Sequence, residues 1–141
     1  MIRNKPRNAF AELQSRGHKL TQPRRLVIET LVNQSRAMTA DDLHQVLAER
    51  KVSLASIYRT LDLLAELHLA EPVRQSGDEA RYVACRPEQH HHHILCTRCW
   101  QVADIDSCLL EPVARAIEDD SHFDVESHVL EFYGCCANCR G

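Results

Sequence analysis

The most constraining feature of the sequence is a pair of C-x-x-C motifs, Cys96-Thr-Arg-Cys99 and Cys136-Ala-Asn-Cys139. Each motif can present two thiolates from one tight turn, and two such turns complete a tetrahedral shell around Zn²⁺ with no open position. The 36 residues between the motifs exceed the usual zinc-ribbon spacing, so this segment must itself fold. We predict a structural zinc site at Cys96, Cys99, Cys136 and Cys139; two unrelated redox dithiols are the alternative.

The use of cysteine also indicates a reducing compartment. The chain has seven cysteines, no apolar stretch of membrane-spanning length, and a polar sequence after Met1. We therefore expect a cytoplasmic protein without a membrane partner, in which paired thiols hold metal rather than form disulfides. Cys108 and Cys135 are interpreted as spare thiols, although a redox sensor that pairs Cys135 with Cys136 or Cys108 stays an alternative.

The first half of the chain predicts a winged helix-turn-helix. Apolar residues recur at helical spacing, and Thr21, Thr39 and Ser53 stand where helix N-caps are expected. Two short β-capable runs follow, separated by the turn Ser76-Gly77-Asp78-Glu79. The predicted helices cover about 5–16, 21–34, 39–51 and 53–67, and the predicted strands cover 70–75 and 80–84.

The second half predicts a smaller α/β lobe, because Arg86-Pro87-Glu88 interrupts the pattern and the composition becomes rich in His and Cys. Strands are expected at 93–96, 101–105 and 123–133, with a helix at 109–118. The fold class is thus α+β: a DNA-binding domain at 1–85, a hinge at 86–89, and a zinc-binding domain at 90–141.

The run His90-His91-His92-His93 gains meaning if it begins a strand, since successive side chains then point to opposite faces. His90 and His92 would serve one metal site, and His91 and His93 another. Cys85 could reach one of these pairs from the first lobe, which would couple metal occupancy to lobe orientation. A lone cysteine is more often a small buried hydrophobe, and both interpretations stay open on spacing alone.

Charge is asymmetric along the chain. Residues 1–36 carry eight of the 17 Lys and Arg residues and two acids, Glu12 and Glu29, so this end suits phosphate. Lys19, Arg24 and Arg25 are candidate phosphate contacts. The fourth predicted helix would be the recognition helix, with Ser56, Tyr58, Arg59 and Thr60 turned toward double-stranded DNA. On residue type alone, the alternative is that Tyr58 packs on the core and Arg59 is merely solvated.

Four features together resemble the ferric uptake regulator family from about residue 8 onward: Thr21-Gln-Pro-Arg-Arg25, Ser53-Leu-Ala-Ser-Ile-Tyr-Arg-Thr-Leu61, the histidine run and the two C-x-x-C pairs. The resemblance implies a homodimer with N-terminal winged helices and C-terminal dimerisation domains, in which regulatory metal closes the dimer onto a palindromic operator. It also implies that Tyr58 and Arg59 are the central DNA contacts.

Within the family, the sequence resembles most closely the zinc uptake regulators, which use a cysteine in the site between the lobes. That resemblance implies a regulatory site at Glu71, Cys85, His91 and His93, and an additional site at His90, His92, Glu111 and His128. Two or three Zn²⁺ per chain would then serve a repressor of zinc uptake genes. Trp100 departs from the family pattern, which commonly has glycine after the first C-x-x-C.

The alternatives differ in class. An iron- or peroxide-responsive regulator of the same family is the nearest, although a thiolate ligand favours Zn²⁺ over harder ions. A zinc hydrolase or deaminase would need an open coordination position and a general acid/base, and the H-x-E and P-C-x-x-C pair of the deaminases is absent from the sequence. We therefore expect neither an enzyme nor a small-molecule substrate.

Overall fold

Four helices form the first part of the chain, and their boundaries follow the predicted caps. The computed structural model describes residues 6–73, 79–85, 90–105 and 109–141. Thr21 and Ser53 accept hydrogen bonds from the backbone N–H groups of Arg24 and Ser56, and Thr39 forms a full capping box with Asp42. The helices are α1 (Pro6–Ser15), α2 (Gln22–Asn33), α3 (Ala40–Val46) and α4 (Leu54–Glu66).

Helix α3, the first helix of the helix-turn-helix, is shorter than predicted. We expected α3 to end near Arg50-Lys51 with Val46 in its apolar stripe, but it ends at Val46, whose side chain is 50% exposed. A 3₁₀ turn, Ala48–Arg50, follows, and Lys51 then adopts a left-handed conformation with φ 57°. The last predicted turn of α3 is therefore a 3₁₀ turn, and the left-handed Lys51 ends this turn before α4 begins.

The first lobe is held together by an aliphatic core. Leu31, Leu43, Ile57 and Leu61 are almost completely buried where α2, α3 and α4 meet. The hairpin that follows has β1 (Ala70–Val73) antiparallel to β2 (Arg81–Ala84), with Glu71 opposite Val83. This hairpin is the wing, so the winged-helix prediction is confirmed. Most of the predicted turn, residues 76–78, lies outside the described residues.

The second lobe contains the elements β3 (His92–Cys96), β4 (Val102–Ile105), α5 (Glu111–Ser121), β5 (Glu131–Gly134) and α6 (Ala137–Arg140). Its strands form a mixed sheet of order β4-β3-β5. The central strand β3 is antiparallel to β4 and parallel to β5. The short helix α6 follows β5 and carries the second C-x-x-C motif. The predicted hinge at 86–89 and Cys108 lie outside the described residues.

The last predicted strand was too long. We expected a strand over 123–133, but residues 122–130 have no regular structure and β5 has four residues. Val129 is 91% exposed and Phe123 74% exposed, so the apolar residues that favoured a strand do not pack against this sheet. His128, which we placed on the last strand, lies in the irregular segment before it.

The two lobes meet through residues 35–38, which we call the junction segment. Val102 donates a 2.8 Å backbone hydrogen bond to Ser35, and Ala37 donates one of 2.8 Å to Trp100. On its other edge, Met38 and Tyr82 exchange hydrogen bonds of 3.1 and 2.8 Å. The junction segment therefore connects the wing to the second sheet.

The sheet of the second lobe leaves an apolar face uncovered. All residues of α5 are described and none is buried, with Val113 and Ile117 about half exposed. On the sheet itself, Phe132 of the edge strand β5 and its neighbour Ile94 of β3 share one face and are each 39% exposed. Neighbouring exposed apolar residues of this kind are typical of a surface that a partner covers. Among the described residues, no helix is long and apolar enough to cross a membrane.

Candidate metal centres

The four cysteines of the two C-x-x-C motifs lie together beside the end of the sheet. Cys96 ends β3, Cys99 lies in the following turn, Cys136 caps α6 and Cys139 lies within it. Their sulfur atoms all lie within 4.8 Å of one another, and the Sγ atoms of Cys99 and Cys136 are 3.7 Å apart. A tetrahedral Zn²⁺ with Zn–S bonds of about 2.3 Å separates its sulfurs by about 3.8 Å, so this four-cysteine group fits the ion.

Backbone amides favour the thiolate form of Cys96. The N–H groups of Cys136 and Arg98 both approach its Sγ at 3.4 Å. Hydrogen bonds from the backbone of Cys136, and then of Cys99 and Arg98, lower the pKa of Cys96 to about 5. Metal binds the thiolate rather than the thiol, so Cys96 is prepared for a cation. Hydrogen bonding with the side chains of Cys136 and Cys99 raises the pKa of Cys139 to about 12, so binding at that residue must displace a proton. The four-cysteine group includes Cys136 and omits its neighbour Cys135, as the spacing predicts.

A second group lies between the lobes and comprises Cys85, His91 and His93; we call it the interlobe group. Cys85 follows the last residue of the wing, whereas His91 and His93 belong to the second lobe. Nε2 of His93 is 3.7 Å from Sγ of Cys85 and 3.7 Å from a carboxylate oxygen of Glu71. The structure therefore brings together all four residues that the family resemblance implied for a regulatory site.

The thiol of Cys85 lies in surroundings unlike those of the four-cysteine group. Cys85 is 4% exposed. This burial, together with the nearby carboxylate of Glu71, raises the pKa of Cys85 well above the ordinary value for a thiol. The metal-free protein therefore carries a neutral thiol there at neutral pH. Binding of a cation must displace that proton, which links metal occupancy to proton release.

Asp104 is a functional residue that the sequence interpretation missed. It lies on β4 opposite His93, and its Oδ1 is 3.0 Å from Nδ1 of His93. A carboxylate on the far nitrogen fixes the tautomer and the ring orientation, and leaves Nε2 to face Cys85 and Glu71. The sequence does contain a signal that could identify Asp104, because it is the acidic residue of a mostly apolar predicted strand that follows the histidine run.

The opposite side of β3 gathers a third group, His90, His92 and His128, which we call the three-histidine group. Nε2 of His128 is 3.1 Å from Nε2 of His90 and 3.3 Å from that of His92. Burial, followed by repulsion from His90 and His128, lowers the pKa of His92, so its ring stays neutral and able to bind a cation. The alternation predicted for the histidine run is therefore present.

Glu111, the fourth residue implied for that site, is not part of the three-histidine group in this single chain. It begins α5, where its carboxylate oxygen is 2.7 Å from the guanidinium of Arg115. Both side chains are more than two-thirds exposed. The role of Glu111 as a ligand stays a prediction.

Helix α4, which we predicted to be the recognition helix, exposes most of the residues expected to face DNA. Tyr58 and Arg59 are exposed, and Arg59 donates a 3.2 Å hydrogen bond to the Ser56 hydroxyl. Thr60 was misplaced: it is 4% exposed and its hydroxyl donates to the backbone of Ser56. Residue 60 shares a helical face with Ile57, Leu61 and Leu64, so its side chain points to the core.

The basic residues predicted to contact phosphate lie near the start of α2. Lys19 and Arg25 are exposed, and the guanidinium of Arg25 lies 5.0 Å from the centre of the Phe10 ring. Arg24 is half-buried and donates a 2.6 Å hydrogen bond to the carbonyl of Lys19. Lys19 and Arg25 therefore have the more accessible charges.

Comparison with known proteins agrees with this arrangement. Residues 15–133 match the model of the ferric uptake regulator family. The ferric uptake regulation protein of Bacillus subtilis is 35% identical over 136 residues, covering 92% of this chain and 91% of that protein. The peroxide-responsive repressor of Staphylococcus epidermidis is 25% identical over 94% of this chain and 88% of that protein.

Solved structures show the same fold. A zinc uptake regulator complexed with zinc and DNA superposes with a TM-score of 0.73 at 26% identity, covering 96% of this chain and 92% of that chain. The ferric uptake regulator of Helicobacter pylori gives a TM-score of 0.72 at 19% identity, covering 100% and 98% of the two chains. With its four-cysteine group, its interlobe group and its winged helix, this chain belongs to the ferric uptake regulator family.

Proposed function

We propose that the protein is a zinc-responsive repressor of zinc uptake genes that acts in the cytoplasm. Family membership makes it a metal-responsive transcription regulator, not an enzyme, which binds DNA operators as a dimer. The finer assignment concerns which metal it senses. Relatives named for iron and for peroxide make an iron- or peroxide-responsive regulator the second candidate.

The observation that carries the zinc assignment is the buried thiol of Cys85 beside His93. Thiolate and imidazole ligands suit Zn²⁺, whereas carboxylate-rich sites favour harder ions such as Mn²⁺. A soft sulfur ligand at the interlobe group therefore supports zinc as the regulatory ion. The structural likeness to a zinc uptake regulator bound to zinc and DNA agrees with this assignment.

We assign different tasks to the three groups. The four-cysteine group has a complete shell and would hold a structural zinc that builds the dimerisation domain. The interlobe group, with Glu71, would bind the regulatory zinc, and the three-histidine group would bind a further ion with Glu111, giving two or three Zn²⁺ per chain. The exposed apolar residues of α5, together with Ile94 and Phe132 on the sheet, are our candidate for the dimer interface.

Regulatory zinc would act by fixing the wing against the second lobe. Cys85 directly follows the wing, and His91 and His93 lie at the start of the second lobe, so an ion bound to all three would hold both lobes in one orientation. In the dimer this sets the distance between two recognition helices. Half-sites on DNA lie about one helical turn apart or a multiple of it, so a small misplacement removes specific binding.

Metal preference is the direct test of this function. Protein that retains structural zinc but lacks regulatory metal should recover operator binding at a lower free concentration of Zn²⁺ than of Fe²⁺ or Mn²⁺, measured by fluorescence anisotropy in metal buffers. The matched variant Cys85→Asp replaces sulfur by oxygen and should shift the preference toward Fe²⁺ and Mn²⁺. Restoration of wild-type binding by Fe²⁺ or Mn²⁺ at lower concentration would favour the second candidate.

The predicted base contact and the predicted phosphate contact should differ in their effect on specificity. Arg59→Ala should reduce discrimination between operator and random DNA by about 1–3 kcal/mol, the range for an arginine that reads a base edge. Lys19→Gln should weaken binding to both DNAs alike and reduce the salt dependence, because a phosphate contact carries no sequence information. Equal losses on both DNAs for Arg59→Ala would contradict its assignment as a reader of sequence.

A further inference from the structure

Trp100 has a backbone conformation that a side chain of its kind rarely adopts. Its φ is 62°, in the left-handed region that glycine enters freely and bulky residues enter at a cost. Such conformations persist where surrounding contacts maintain them, and they cluster at positions with a function. Here the bulkiest type of side chain occupies a position where glycine would be unstrained.

The side chain of Trp100 contacts the opposite lobe. The guanidinium of Arg81, the first residue of β2, lies 4.3 Å from the centre of an indole ring. The same guanidinium is 3.3 Å from the carboxylate of Asp42 and 3.4 Å from the carbonyl of Ala37. Trp100 thus joins the second lobe to a cation that is itself held by the first lobe.

The indole also borders an apolar cluster shared by the two lobes. Val73 and Val83 come from the wing, Ala37 from the junction segment, and Leu95 and Val102 from the second sheet, all almost completely buried. Trp100 packs against this cluster. The contact with Arg81 is therefore partly shielded from water, where a cation–π interaction is stronger than at an exposed site.

Strand β2 is consequently held to the second lobe at both ends. Arg81 contacts Trp100 at its beginning, and Cys85 lies 3.7 Å from His93 just after its end. Cys85 lies four positions after Arg81, which is roughly 13 Å along a strand. The contact between Arg81 and Trp100 needs no metal, whereas the contact between Cys85 and His93 belongs to the interlobe group.

We propose that Trp100 is a positioning residue for the interlobe metal site. Its contact with Arg81 keeps β2 against the second lobe in the metal-free protein, so that Cys85 already lies beside His93 when the cation arrives. A ligand binds more tightly in proportion to the fraction of protein already in the competent arrangement. Trp100 thereby sets the zinc concentration to which the regulator responds. This inference rests on the proposed function, because it concerns the site assigned to regulatory zinc.

Trp100→Gly tests the role in metal binding. Glycine adopts this φ without strain, so the turn beside the four-cysteine group should be preserved. The protein should retain structural zinc and carry His128→Ala, which removes a ligand of the three-histidine group. Competition with a chromophoric chelator should then show zinc affinity reduced roughly tenfold, a shift within reach of one shielded cation–π contact. Arg81→Met should show a similar loss of zinc affinity. The control Arg16→Met should show no loss, because the partner of Arg16, Glu12, lies on the same helix.

A second readout needs no regulatory zinc. Trp100 is the single tryptophan of the chain, so intrinsic tryptophan fluorescence reports on this residue alone. Without regulatory metal, Arg81→Met should increase quenching by acrylamide, because the indole loses its cover, while Arg16→Met should match the wild type. This measurement also decides the question if Trp100→Gly loses its structural zinc.

The outcomes separate this inference from the proposed function. Unchanged acrylamide quenching in Arg81→Met would overturn the positioning role of Trp100 alone. The same holds if zinc affinity in Trp100→Gly equals that of the wild type while the wild type binds regulatory zinc. If wild-type protein binds no zinc at the interlobe group, the proposed function fails together with the inference.

Discussion

Replacing Cys136 by serine should leave the second lobe without its metal and unable to fold. An apparent binding free energy of about 10–16 kcal/mol is typical of structural zinc in small peptides, and whole domains are stable by only about 5–15 kcal/mol. We expect Cys136→Ser to lose one zinc per chain by elemental analysis. It should also lose the dimer in sedimentation, because α5 and β5 belong to the same lobe.

The neighbouring residue provides a matched control. Cys135 is partly exposed and lies outside the four-cysteine group, so Cys135→Ser should keep its zinc, its dimer and its far-ultraviolet circular dichroism spectrum. Loss of zinc in Cys135→Ser with retention in Cys136→Ser would mean that the ligands had been assigned to the wrong member of the pair.

Replacing Cys85 by serine should abolish regulation while leaving the fold intact. The substitution nearly preserves the volume of a buried side chain but removes the thiolate that supports the zinc assignment. Coupling between an effector and a ligand is typically 5–150-fold in affinity. We therefore expect regulatory zinc to raise operator affinity by roughly that factor in the wild type and not at all in Cys85→Ser, measured by anisotropy against free zinc.

Two controls make this result specific. Cys85→Ser should still hold the zinc of the four-cysteine group and still dimerise, which separates loss of sensing from loss of folding. The double variant Cys108→Ser, Cys135→Ser should keep its zinc response, whereas a thiol redox sensor built on those residues would lose its response. Zinc-dependent operator affinity that survives Cys85→Ser would refute the proposed switch.

Local chemistry made the first lobe predictable. The hydroxyls of Thr21, Thr39 and Ser53 bond to backbone amides within three residues, so their capping role can be recognised in the sequence. The grouping of Cys96, Cys99, Cys136 and Cys139 was predictable for a related reason. Each C-x-x-C is a local unit, and two such units can be assigned to one zinc ion without knowing the fold of the residues between them.

Long-range contacts account for what was missed. The apolar residues after α5 read as one long strand, yet most of that segment does not pair with β3, and no local signal marks where pairing begins. Asp104 gains its role from the strand opposite, and Thr60 was misplaced because residue 60 falls at the edge of the buried helical face. The contact between Trp100 and Arg81 depends on how the lobes meet, which spacing cannot show.

The assignment of each histidine to a metal group depends on the length of the segment as well as on its composition. His90 to His93 are four identical residues, yet neighbours along the run serve different groups because side chains alternate across β3. Inserting or deleting one residue between His93 and Cys96 would preserve every ligand type while exchanging the faces to which the histidines point. In this segment, a change of length should therefore be more damaging than many changes of residue.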